Sequence, residues 1–132
     1  MTVLIILICL TLSPRQAEIG IASWFSIRTN SPRYSTITAS GYPLNDNEMV
    51  AAHKTLRIGT RVRVTRTDTG DSVDVTIIDR GPYKPGRVID LSVRAAKELG
   101  FYKQGLTKVR IVPIGLDKKM LKHPKVYSKY RL

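Results

Sequence analysis

The chain has 132 residues, 42% hydrophobic and 24% charged, with 22 Lys and Arg against 10 Asp and Glu for a formal net charge of +12. That is the length of one ordinary domain, which leaves no room for a separate cofactor module, and the apolar fraction excludes wholesale disorder. The charge points to an anionic partner, and composition alone leaves nucleic acid, a membrane surface and an acidic polymer all open.

Residues 3–12 form a mostly aliphatic run, too short for a bilayer-spanning helix, which needs about 20 apolar residues. Ser13 and Pro14 break the run and Ala17 offers a cleavage edge, so residues 1–17 are expected to be a signal peptide. A buried first strand or helix is the alternative. Export to the periplasm or cell envelope follows from the first reading, with no stable transmembrane anchor. Cys9, the single cysteine, lies inside the run behind the bulky Ile8, a poor setting for lipidation.

Residues 19–25 have the pattern of a strand, and residues 26–40, rich in Ser, Thr and Asn, that of a long loop. Residues 61–66 alternate Arg with β-branched side chains, and Val73, Val75 and Ile77 alternate with polar residues. With a turn at 68–71 these two runs predict a hairpin whose apolar faces share one core. Residues 88–91 form a short buried run. Ser92 then suits the N-cap of a helix over 93–99, and Gly100 is its stop. A last strand is expected at 109–114. Several short strands with one short helix predict a mainly β fold, closed into a small barrel because closure removes exposed edges.

Residues 116–132 carry six basic residues and one acid, +5 in all, while residues 18–115 carry fifteen basic and nine acidic, +6. The tail fits either a solvated terminus or a non-specific anchor on a polyanion.

Two stretches can carry chemistry. Asp79 closes an apolar strand and opens Arg80-Gly81-Pro82-Tyr83, which sets its carboxylate at the barrel rim. Apolar walls there would suit a general acid; equally, such an Asp caps its own turn or pairs with Arg80. His53, between Ala52 and Lys54, fits acid–base work or a structural role. His123 is the only other histidine and no carboxylate cluster has ligand spacing, so neither metal nor cofactor is expected. Stacking aromatics are missing from the basic strand at 61–66, which argues against specific nucleic-acid binding.

At these stretches the chain resembles the rare lipoprotein A family, septal peptidoglycan lytic transglycosylases with a double-psi β-barrel. The resemblance rests on Gly20-x-Ala22-Ser23-Trp24-Phe25, Thr38-Ala39-Ser40-Gly41, Ala51-Ala52-His53-Lys54-Thr55-Leu56, Gly59-Thr60-x-Val62-x-Val64-Thr65, Asp79-Arg80-Gly81-Pro82-Tyr83 and Gly86-Arg87-x-Ile89-Asp90-Leu91-Ser92. It covers residues 18–115 and implies a six-stranded double-psi barrel with one or two short helices.

By that resemblance Asp79 and His53 are the catalytic residues, and Thr38, Tyr42, Trp24, Arg80, Tyr83 and Asp90 contact substrate. The family's Glu after the Thr-Ala-x-Gly turn is replaced by Tyr42, and the loop before Thr38 is longer and lacks the usual Gly-rich, His-containing segment. The implied reaction cleaves the bond between N-acetylmuramic acid and N-acetylglucosamine in glycan strands, leaving a 1,6-anhydro end, by a monomeric protein. One carboxyl can serve both proton transfers, so Asp79 suffices in principle. A barrel that binds glycan without turnover is the alternative that Tyr42 favours.

Overall fold

A computed structural model describes residues 17–26, 38–42 and 45–122. The expected signal peptide up to residue 16, with Cys9, lies outside them, as do most of the long loop and the tail from residue 123. Six strands appear in chain order: β1 (Glu18–Phe25), β2 (Val50–Ala52), β3 (Thr60–Arg66), β4 (Ser72–Asp79), β5 (Arg87–Ser92) and β6 (Thr107–Leu116). They close in the order β1-β5-β2-β4-β3-β6, with β1 parallel to β5, β2 parallel to β4, and the other neighbours antiparallel.

The β3–β4 hairpin forms as its alternation dictates. Val62 opposes Val75 and Val64 opposes Val73, all turned inward, while Arg61 and Arg63 face solvent. Ala22, Ile77, Ile89, Leu91, Val109 and Ile111 join them in one core cluster. Each fully buried Val, Leu or Ile there contributes about 1.5–3 kcal/mol over its exposed state.

Helix α1 (Val93–Leu99) packs Ala95, Ala96 and Leu99 against β1, β4 and β5. Ser92 Oγ accepts from the Ala95 N–H, and Gly100, at φ 85, supplies the left-handed turn that ends it. Arg66 reaches across to the same end and donates to the Leu99 and Gly100 carbonyls.

Two elements were not expected from the sequence. β2 has three residues, all buried between β4 and β5, and so shows no alternation. Beyond β6, Asp117 caps a short helix α2 (Lys118–Leu121) by accepting from the Lys119 and Met120 N–H groups, and Met120 joins the core. Residues 116–122 of the expected tail are thus ordered chain, continuous with the barrel.

One irregularity positions the site. Ala51 opposes Ile77 in β4, but the register then shifts and Ala52 opposes Asp79. Ala52 also opposes Asp90 in β5, and Asp90 opposes Ser23 in β1. Cross-strand partners share a face, so Ser23, Asp90, Ala52 and Asp79 form one transverse row over four neighbouring strands.

Candidate active site

The row places two carboxylates on either side of a methyl group. Neighbouring strands lie about 4.8 Å apart, so the backbones of Asp79 and Asp90 are roughly 10 Å apart across β2. Asp79 Oδ1 accepts from the Ala39 N–H at 2.8 Å and from its neighbour's Arg80 N–H at 2.9 Å. Both donors converge on one oxygen, and among the described residues Oδ2 has no hydrogen-bond partner. The donor Ala39 is held by a tight turn: Thr38 Oγ1 donates to the Tyr42 carbonyl at 2.6 Å, Gly41 N–H to the Thr38 carbonyl, and Ser40 N–H to the Ile78 carbonyl. Thr38 therefore builds the turn that grips Asp79.

Asp90 differs in environment. Ser23 Oγ donates to its Oδ1 at 2.9 Å. Burial pushes its carboxyl above the ordinary value; the Ser23 hydrogen bond and the Arg87 charge oppose that shift, and the nearby Asp79 charge adds to it.

His53 is brought beside Asp79 by backbone and not by its ring. Its N–H donates to the Asp79 carbonyl at 3.1 Å. The ring is buried, with 3% exposure. Nδ1 accepts from the Thr55 and Leu56 N–H groups at 3.1 and 3.0 Å, which assigns the ring proton to Nε2, and Nε2 meets Glu18 Oε2 at 2.8 Å. With both nitrogens engaged, the imidazole organises the 53–56 turn. Arg80 Nη1 donates to the His53 and Leu56 carbonyls at 3.2 and 2.5 Å, tying that turn to the Asp79 loop.

The remaining expected residues divide. Tyr83, 77% exposed in the loop after Asp79, is open for contact with a ligand. Trp24 turns away from the row: its Nε1 donates to the Tyr102 carbonyl, and the two rings stack 4.5 Å apart. Tyr42 also turns away. Its hydroxyl donates to Glu48 Oε1 at 3.2 Å, and burial, the Glu48 charge and hydrogen bond, and Asp117 raise its pKa, so it stays a phenol. Sequence reasoning did not single out Ser23, Ala39 or Glu18 as site residues: Ala39 acts through its backbone amide, and the Ser23 and Glu18 side chains reach Asp90 and His53 only through strand pairing distant in sequence. Among the described residues no group of His, Cys, Asp and Glu could hold a metal ion.

A family model described as lytic transglycolase matches residues 17–111. A protein of Rickettsia bellii named endolytic peptidoglycan transglycosylase RlpA is 43% identical over 110 residues, 83% of this chain and 48% of its own length. Its Vibrio cholerae namesake is 42% identical over 108 residues, 82% of this chain and 40% of its own length. A Synechocystis protein named probable endolytic peptidoglycan transglycosylase RlpA is 47% identical over 92 residues, 70% of this chain and 27% of its own length. The matched region is thus under half the length of these curated relatives. Among solved structures, apo Clavibacter michiganensis expansin aligns at TM-score 0.56 and 23% identity, over 75% of this chain and 50% of that one. The Streptomyces papain inhibitor aligns at 0.56 and 19%, over 76% and 97%. At those identities the likeness concerns the barrel fold.

Proposed function

The chain belongs to the lytic transglycolase family of double-psi β-barrels, and on that footing we propose that it is an exported enzyme that cleaves peptidoglycan glycan strands without water. The observation that carries the reading is the pair of carboxylates in one row, with contrasting surroundings. Chemistry that moves a proton to one oxygen and takes one from another works best with two groups held in different environments.

Asp90, whose burial favours the protonated form, donates a proton to the glycosidic oxygen as the bond from muramic acid C1 breaks. The 6-hydroxyl of the same sugar attacks C1, and its proton passes to Asp79, oriented by the Ala39 and Arg80 N–H groups. The product is a 1,6-anhydro end, and the two carboxyls exchange their altered proton count with solvent. His53 and Arg80 are positioning residues here: they tie the 53–56 turn to the Asp79 loop. Tyr83 supplies an exposed ring for a sugar face. The missing family Glu is not needed in this scheme, because the second carboxyl is Asp90.

Digestion of purified glycan strands with mass analysis of the ends tests it. Wild type is expected to release 1,6-anhydro products and Asp79→Asn none. The alternative, a barrel that binds without cutting, is favoured by Tyr42 turning away from the row. It would be supported by sedimentation with insoluble peptidoglycan that survives Asp79→Asn, with no product from wild type.

A further inference from the structure

On the outer face of β4, between the 38–42 turn and α2, lies a cleft of about 530 Å³. Tyr42, Thr76 and Ile78 contribute to its wall, and Arg61, Lys119 and Lys122 bring cations to it. Its acids are all hydrogen-bonded, but among the described residues only Asp74 is in an ion pair, and Glu48 and Asp117 keep their charge. Glu48 accepts from Tyr42, Asp74 is paired with Arg63, and Asp117 accepts from Thr76 and caps α2. Arg94, the fourth cation, is paired with Glu98. Among the described residues Arg61, Lys119 and Lys122 have no carboxylate partner. Set against the Glu48 and Asp117 charges on the Tyr42 side, the three cations Arg61, Lys119 and Lys122 leave the cleft one positive charge in excess, which suits a single carboxylate ligand away from Tyr42.

The cleft adjoins the carboxylate row, although no residue of the row lines it. Ile78 lines it and Asp79 follows, their Cα atoms about 3.8 Å apart. The 38–42 turn is the shared rim: its Ala39 N–H holds Asp79 while its Tyr42 side chain faces the cleft. From Ile78 the cleft runs along β4 to Asp74, four residues or roughly 14 Å.

We infer that this cleft is a subsite for the carboxylate carried on the lactyl ether of muramic acid, the substituent that separates muramic acid from N-acetylglucosamine. The inference rests on the glycan-strand reading above. The carboxylate can be the free lactyl group of a naked strand or belong to an attached stem peptide. Arg61, Lys119 and Lys122 meet it, and the subsite sets which sugar of the strand lies over Asp79.

Binding of the full chain to three oligomers of equal length tests this: naked glycan strands, peptide-bearing strands, and chitin oligomers, which lack the lactyl group. Wild type is expected to favour a muramic-acid strand over chitin by about tenfold. Arg61→Glu/Lys119→Glu is expected to reduce that ratio to about twofold or less, most strongly on whichever strand type supplies the carboxylate. Lys108→Glu/Arg110→Glu, exposed cations of β6 outside the cleft, makes the same change in net charge and is expected to leave the ratio intact. A wild type that binds chitin equally well, a cleft variant that keeps the ratio, or a β6 variant that loses it as fully would overturn the subsite. Anhydro ends, scored separately, keep the two claims apart: a protein that discriminates without producing them loses the lyase reading and retains the subsite.

Discussion

Asp90 and Asp79 stand on either side of Ala52 in a single row of the barrel, one held by a serine hydroxyl and the other by two backbone N–H groups. The row exists because β2 shifts register by one residue against β4 after Ala51. Without that shift Asp79 would keep the facing of Ile77 and point inward, since side chains alternate along a strand. A bulge at this point therefore re-aims a carboxylate from the core to the site.

Asp90→Asn separates stability from turnover. A carboxyl whose pKa is raised by folding adds stability below its unfolded pKa, and that contribution is lost as pH rises through the folded value. The variant removes the cost of burying the charge while its amide oxygen can still accept from Ser23. Its midpoint of thermal unfolding is expected to exceed wild type at pH 7, by about 4 °C for a gain of roughly 1 kcal/mol, with the gap closing on acidification. Turnover is expected to fall at least about 100-fold. Calorimetry across pH, run beside the digestion assay, checks both; equal midpoints at every pH contradict the burial account.

His53→Ala leaves the Thr55 and Leu56 N–H groups without their acceptor inside the fold. The expected loss is about 2–3 kcal/mol, read as a lower denaturation midpoint in urea at unchanged slope. Glu18→Gln, which retains an oxygen for the Nε2–H and is half exposed, is expected to cost under about 0.5 kcal/mol. Comparable losses in the two variants would contradict the division of labour between the two ring nitrogens.

Gly20 is set by a close approach and not by a turn. A Cβ built there falls 2.3 Å from Val88 Cγ1 and 3.2 Å from the Gly86 carbonyl oxygen. Gly20→Ala is expected to destabilise by about 1–3 kcal/mol, and Val88→Ala in the same chain to recover part of that loss. A double-mutant cycle by urea unfolding gives the coupling, and strict additivity would contradict it.

Much of this fold was legible in the sequence where local pattern and tertiary need agree. The β3–β4 alternation, the Ser92 cap and the Gly100 stop each act over a few residues. β2 escaped because three residues between two buried strands need no pattern of their own. α2 escaped because its cap, Asp117, sits in a run of charge that also suits a solvated tail. At the site, Asp79 at the strand end was readable from its Gly and Pro neighbours. The side-chain separation of His53 from Asp79, and the partnership of Asp79 with Asp90, were not. Both depend on register and on which backbone amides meet which oxygen, and residue types do not encode these one at a time.

Tyr42→Glu would restore the family's residue, yet the side chain at this position faces Glu48 and Asp117. A carboxylate there meets like charge, so the variant is expected to lose about 1 kcal/mol and gain no turnover. Tyr42→Phe is expected to keep turnover within about threefold. A large gain with Glu, measured as anhydro ends per minute, would contradict the assignment of the second carboxyl to Asp90.

Digestion of glycan strands in water enriched in oxygen-18 tests the central claim most directly. Wild-type ends are expected to be one water lighter than hydrolysed ends and to carry no label, and Asp79→Asn is expected to give none of them. Labelled reducing ends from wild type, or no cleavage where the Vibrio cholerae relative cuts under the same conditions, would contradict it.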